Sequence, residues 1–444
     1  MAFEEAEATR ISQRVLAACK RAAPGAAIAL RLRHRQCGQT RFACNEVSTA
    51  GDVERIDLTL SIAFGRRAAA GSLTQLDAAS VEQTAARIAR MARLSPEQPE
   101  LMPLLAAQTY LRPKAASDAA TRAATPELRA RAAASAIARA KAGGLSIAGF
   151  YQHADESLSI ANSAGLSGYH AWTSSQFDCT ARTPDGSGSG WAGAHSQRAS
   201  ELEVDALAAI AVDKATRSRS PRPLAAGRYS VVLEPSAVAA LLSVLSDALD
   251  ARTADEGRSF FSKPGGGSRV GEKLFADGIA LRTDPSAVAL GVLPWGSESL
   301  PLRAASWIDN GTLQQLPYSR YWAQQKGVAA VPRPQALLLQ GGASALPALI
   351  AGVKRGVLIT HFWYLNYLDP RSLLSTGLTR DGTFLIENGE VVGPVNNFRF
   401  NESPHVMLKN CDGLSASVVA PDGSMRVPSL RTHDFNLASV SEAV

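Results

Sequence analysis

Residues 365–404 read LNYLDPRSLLSTGLTRDGTFLIENGEVVGPVNNFRFNESP. Short apolar runs alternate here with turn pairs, and no helical repeat is present. Asp381-Gly382 and Asn388-Gly389 each join a residue that tolerates positive φ to a glycine, as the tight turns of two-residue hairpins require. The same pairing recurs at Asn310-Gly311 and Asp422-Gly423. Tight turns are therefore expected at these pairs, and an antiparallel β-rich domain with few helices is expected over residues 226–444. One helix stands out within it. It follows a strand at 229–233 and opens at Pro235, and Val238, Leu241, Leu242, Leu245 and Leu249 give it a wide apolar stripe.

The preceding half mixes helices with strands. Ile11, Val15, Cys19 and Ala22 recur at helical spacing. A strand is expected at 27–33. Ile56, Leu58, Leu60, Ile62 and Phe64 alternate with smaller or polar residues, the pattern of a half-buried strand. Ser80-Val81-Glu82-Gln83 fits a capping box opening a helix. Another helix runs from Thr125-Pro126 to Gly143-Gly144. A proline-bearing connector over 95–117 separates the two. Short strands are expected from 145 to 195, with the glycine-serine run at 185–190 as a flexible turn. A helix over about 200–216 precedes a linker at 221–227. The fold class is α+β in two domains, a mixed helix/strand domain over 1–225 and the β-rich domain over 226–444.

Length and composition agree with this class. The chain has 444 residues, 46% hydrophobic and 19% charged, which suits a folded protein of two domains. The five cysteines are odd in number and form no C-x-x-C pair, so neither a disulfide framework nor a zinc ribbon is indicated. The charged start lacks the apolar middle of a secretory signal, and no run is long enough to span a bilayer, so a cytoplasmic location is expected. The net charge of +6 is spread along the chain. Its densest spots, Arg31-Leu32-Arg33-His34-Arg35 and Arg217-Ser218-Arg219, lack interleaved aromatics and read as solvated surface rather than a nucleic-acid footprint.

Familiar catalytic signatures are absent: no H-E-x-x-H, G-x-S-x-G, P-loop or dinucleotide fingerprint occurs. The seven histidines are isolated from one another. His361, His405, Cys411 and His433 could in principle meet around a metal, although lone histidines more often serve as surface or core residues. Asp247, Asp250, Asp255 and Glu256 read as a solvated helix end rather than an acid/base pair. Trp363, Tyr364 and Tyr367 could line a peptide groove, but buried strand aromatics are the commoner case.

The 365–404 stretch resembles the C-terminal part of the TldD/PmbA family, also called the modulator of DNA gyrase family. The resemblance is carried by a threonine-glycine, a strand ending Ile386-Glu387-Asn388-Gly389-Glu390, a Gly393-Pro394-Val395 and an Asn401-Glu402-Ser403. It extends to residues 56–77, to Asn162-Ser163-Ala164-Gly165 and to Pro428-Ser429-Leu430-Arg431. It implies a cytoplasmic heterodimer of one TldD-type and one TldE/PmbA-type subunit that degrades peptides or unfolded segments. The family's active branch carries H-E-x-x-x-H on a helix after a Val-Val-Leu strand, and holds zinc with those histidines and a later cysteine. Here the strand is Val231-Val232-Leu233, and the motif positions fall on Ser243 to Ala248, with Ser243, Val244 and Ala248 in place of the histidines and glutamate. Cys411 lies in the region of the third ligand, without the family's Cys-Gly-Lys pattern.

The resemblance therefore implies the TldE/PmbA branch: a non-catalytic subunit with no cofactor of its own, zinc in an H-E-x-x-x-H partner, and a peptide substrate. Neither membrane nor nucleic acid is expected as a partner. Asn310, Gly311, Asn388 and Gly389 are expected as structural turns. Arg380, Asp381 and Asn401 belong to the family motif as candidate peptide-groove residues. The alternatives are a stand-alone metallopeptidase with an unconventional metal site and a regulator associated with a topoisomerase or DNA.

Overall fold

A computed structural model describes residues 2–113, 116–286 and 288–442 of the chain. The first half contains α1 (Glu5–Ala22), β1 (Ala27–Ala43), β2 (Glu46–Phe64), β3 (Arg67–Leu73), α2 (Ala78–Leu94), α3 (Ala119–Arg122), α4 (Pro126–Ala142), β4 (Ser146–Asn162), β5 (Ser167–Arg182), β6 (Ser189–Ser196) and α5 (Val204–Arg217). Its strands form one antiparallel sheet in the order β3-β2-β1-β4-β5-β6. Because side chains alternate along a strand, Ile28, Leu30 and Leu32 of β1 share a face with Leu58, Leu60 and Ile62 of β2. Helices α1 and α2 cover that face with Ile11, Val15, Val81 and Ile88. At the other end of the sheet, α4 and α5 bury Phe177, Cys179 and Ala181 beneath rows of alanine.

Several local expectations change here. Asp77 caps α2, accepting from the Ser80 backbone N–H at 2.9 Å, so the helix starts earlier than a cap at Ser80 would place it. The strands after residue 145 are long rather than short, and every residue from His153 to Asn162 is buried, so no alternation marks β4. Only the start of the 185–190 run is a turn. Gly188 and Gly190 instead let α5 lie close against β6: a Cβ on Gly190 would stand 2.3 Å from the Ala211 carbonyl oxygen.

The second half contains β7 (Gly227–Leu233), α6 (Pro235–Ala248), α7 (Ala251–Asp255), β8 (Leu281–Thr283), β9 (Ala305–Asp309), β10 (Thr312–Leu313), α8 (Arg320–Lys326), β11 (Leu337–Leu339) and α9 (Leu346–Ala351). These are followed by β12 (Arg355–Asp369), β13 (Leu374–Glu387), β14 (Glu390–Pro394), β15 (Asn397–Glu402), α10 (Pro404–Lys409), β16 (Cys411–Leu414), β17 (Val418–Val419), β18 (Met425–Val427) and β19 (Leu430–Ser441). Strands β12, β7, β19, β15 and β13 pair in that order, and a further β12–β13 pairing closes them into a ring. A smaller sheet runs β10-β9-β8-β11-β18-β17. Most pairings are antiparallel, but β7–β12 and β11–β18 are parallel. The apolar side of α6 and the inward residues of both sheets share one large core.

Asn310 and Gly311 turn between β9 and β10 with φ of 44° and 77°, and Asn388 and Gly389 between β13 and β14 with 50° and 84°. Gly423 serves the β17–β18 connection at φ 73°. The Asp381-Gly382 pair departs from this pattern. It lies inside β13, where Ile359 faces Thr383 but His361 faces Arg380, so its positive φ angles form a bulge in a continuous strand and not a hairpin. The 221–227 stretch is docked on the second half: the Leu224 N–H donates to Asn396 Oδ1 at 2.6 Å.

Candidate functional site

Helix α6 begins with proline at its first turn, where a missing N–H costs nothing. Its N-cap residue, Glu234, makes no cap bond, and its carboxylate accepts from Lys214 Nζ at 2.7 Å. Val238, Leu241, Leu242 and Leu245 are fully buried. Ser243 turns its hydroxyl back onto its own helix, donating to the Ala240 carbonyl at 2.7 Å. Val244 is buried, and its carbonyl accepts from the Tyr367 hydroxyl at 3.0 Å. Ala248 packs against the core. One satisfied hydroxyl and two hydrocarbon side chains do not fit zinc, which needs nitrogen, sulfur or carboxylate ligands.

Of the scattered candidate ligands, Cys411 and His433 are neighbours across the β16–β19 pairing, and His361 and His405 have other surroundings. His361 stacks on Trp191 at 4.4 Å and bonds Ser236 Oγ through Nδ1 at 2.8 Å, and burial pushes its pKa down to about 4. His405 packs on Phe260 at 4.6 Å. Burial raises the Cys411 thiol to about 11, which disfavours the thiolate a metal would need. His433 bonds Asp412 at 2.7 Å and Ser230 at 2.8 Å. Among the described residues, no group of three or more His, Cys, Asp or Glu side chains is arranged to hold a metal ion. The carboxylates after α6 are engaged. Asp250 caps α7 and pairs with Arg333, Asp255 accepts from Trp322 Nε1, and Glu256 pairs with Arg252 and Arg258.

The groove candidates fall in two places. Arg380 lies opposite His361, with its guanidinium 4.6 Å from the Trp363 ring centre. Beside it Asp381 is buried, and its Oδ1 has no hydrogen-bond partner among the described residues. Trp363, Tyr364 and Tyr367 are exposed, contrary to the buried-strand expectation, because β12 runs past the end of β7 and loses its neighbour there. Asn401 lies opposite Thr376 and lines a cavity of about 990 Å³ with Arg228, Lys263, Arg371, Glu402 and His405. Glu402, at the buried side of that cavity, has its carboxyl pKa raised by desolvation. Of the alternating arginines of β1, expected as solvated surface, Arg31 is exposed. Arg33 and Arg35 instead converge on a buried Glu156. Their period-two spacing was the available signal.

The model of the PmbA/TldA metallopeptidase C-terminal domain matches residues 226–439, and that of the central domain matches residues 114–219, together well over half of the chain. The chain belongs to the PmbA/TldD family. A Methanothermobacter thermautotrophicus protein described as a metalloprotease is 22% identical over 227 residues, 48% of each chain. The chain thus spans about half the length of that curated relative. The crystal structure of TldE from Thermococcus kodakarensis superposes with a TM-score of 0.85 at 18% identity, covering 96% of this chain and 99% of that one. A Thermotoga maritima MSB8 protein described as a candidate modulator of a DNA gyrase superposes with a TM-score of 0.84 at 15% identity, covering 96% and 99%. These superpositions establish a PmbA/TldD fold along nearly the whole chain. Among the described residues, no helix is long and apolar enough to cross a membrane.

Proposed function

We propose that this chain is the non-catalytic subunit of a two-subunit metallopeptidase that acts on peptides or unfolded segments. The observation that carries the reading is the state of α6. The helix keeps its buried apolar side, yet Ser243, Val244 and Ala248 stand where the resemblance places two histidines and a glutamate. A water molecule activated by zinc requires three protein ligands and an open position, and a neighbouring base to take its proton. Side chains of this kind supply neither ligand nor base. A retained fold without the chemistry fits a partner that shapes a substrate cavity, with metal and base on an H-E-x-x-x-H paralogue. Homologous subunits pair readily through equivalent surfaces.

Co-expression with such a paralogue tests the reading. Size exclusion should show one stable heterodimer, and a peptide-cleavage assay should show activity in the pair and none in this chain alone. A pair that never co-elutes, or a paralogue fully active by itself, would refute the subunit role.

A further inference from the structure

Strand β1 carries Arg31, Arg33 and Arg35 at alternate positions. All three therefore project from the sheet face opposite the one that α1 and α2 cover. Pairing register sets their neighbours. Arg31 lies between Thr59 of β2 and Ile160 of β4, Arg33 between Asp57 and Leu158, and Arg35 between Arg55 and Glu156. The next row, Ser61, Ala29 and Asn162, lines a cleft of about 510 Å³ whose other walls include Glu100, Leu104, Glu298 and Arg320. The β4 members of the arginine rows are buried, Leu158 and Ile160 against Tyr110, Trp172 and Trp295, so the exposed part of these rows runs along β1 and β2.

Within the three arginine rows the charges do not balance. Glu156 is shared, with Arg33 Nε at 3.0 Å and Arg35 Nε at 3.4 Å. Asp57 is taken by Arg55 at 2.7 Å. Arg31 has no ion-pair partner among the described residues, and burial together with the nearby Arg33 disfavours its charged form. Four guanidinium groups thus face two carboxylates.

We propose that this face binds an acidic, extended segment of polypeptide. The inference rests on the peptide-handling role above and names the class of peptide. Guanidinium groups repeat along β1 every second residue, roughly 6.6–6.8 Å, which is the repeat of same-side side chains on an extended chain. Carboxylates are the natural ligands of the arginine fork, and Glu156 already occupies one such place.

Fluorescence anisotropy on the full-length chain tests this. The probes are labelled peptides of alternating Glu-Ala and of alternating Lys-Ala, and a labelled single-stranded oligonucleotide. The acidic peptide should bind best, and its binding should weaken as salt rises from about 0.05 to about 0.3 M. Substituting Arg31→Gln with Arg55→Gln, both exposed positions, should lower its affinity about tenfold or more. Arg31→Lys should lose less. Arg139→Gln on α4 should bind like the parent, and thermal melts should show all variants folded. Equal binding of acidic and basic peptides, an unaffected double variant, or tighter binding of the oligonucleotide would each overturn the assignment. Any of these outcomes leaves the subunit reading standing if the paralogue still co-elutes. Failure to co-elute, with acidic-peptide binding intact, would remove the subunit reading alone.

Discussion

Gly389 sits at φ 84°, and a Cβ built on it would lie 2.8 Å from the Ala351 carbonyl oxygen. Both terms oppose a branched side chain. Gly389→Val should destabilise the chain by about 1–3 kcal/mol from the backbone angle alone, with the clash adding to it. Urea denaturation showing parent-like stability would contradict the turn. His170 makes a different residue-scale case. It is buried and stacked on Trp172, and desolvation pushes its pKa from 6.5 down to about 4. The unfolded chain takes up that proton first as pH falls. The stabilisation is therefore complete above about pH 6.5 and is lost as pH drops toward 4. Asp178, raised from 3.8 to about 6 by burial, works in the opposite sense over part of that window. The informative quantity is thus the difference between parent and His170→Gln. The variant should lose less stability from pH 6.5 to 4, by on the order of 1–3 kcal/mol. Identical pH profiles would mean that the imidazole is not held neutral.

At the scale of elements, α6 was legible because its apolar residues recur at helical spacing and proline marks its start. All of Leu241, Leu242 and Leu245 are fully buried. Leu241→Ala and Leu245→Ala should each cost about 2–5 kcal/mol, read from denaturant midpoints, and parent-like values would contradict this packing. Strands β4 and β5 were legible only in part. Polar residues such as Asp155, Glu156 and Ser157 are buried within β4, so its period is hidden from a hydrophobicity pattern. Helix α2 starts ahead of the expected cap at Ser80, because the Asp77 carboxylate accepts from the Ser80 backbone N–H. Glycines 188 and 190 resembled a flexible loop, since a close helix approach and a loose turn select the same residue.

The closed ring of five strands and the sheet that precedes it set what the whole molecule can bind. Among the described residues no three metal-ligating side chains meet: His361 stacks on Trp191, His405 packs on Phe260, and His433, beside Cys411 across the β16–β19 pairing, is held by Asp412. The purified chain is accordingly expected to hold no stoichiometric zinc. Elemental analysis finding one tightly bound zinc per chain, lost on replacing any of these four residues, would favour a stand-alone metallopeptidase instead.

Read alone, the sequence determined the β-rich character of the second half, the Asn-Gly turns, helix α6 and the family, because each depends on spacing within a few residues or on a local motif. It also determined that H-E-x-x-x-H is missing. Only the tertiary structure decided that Asp381-Gly382 is a bulge, that the aromatics of β12 are exposed, and that Arg33 and Arg35 share Glu156. The sharing of Glu156 and the exposure of the β12 aromatics depend on strands over a hundred residues away in sequence, and the bulge on a register shift against β12, and neither kind of pairing leaves a local mark on the chain.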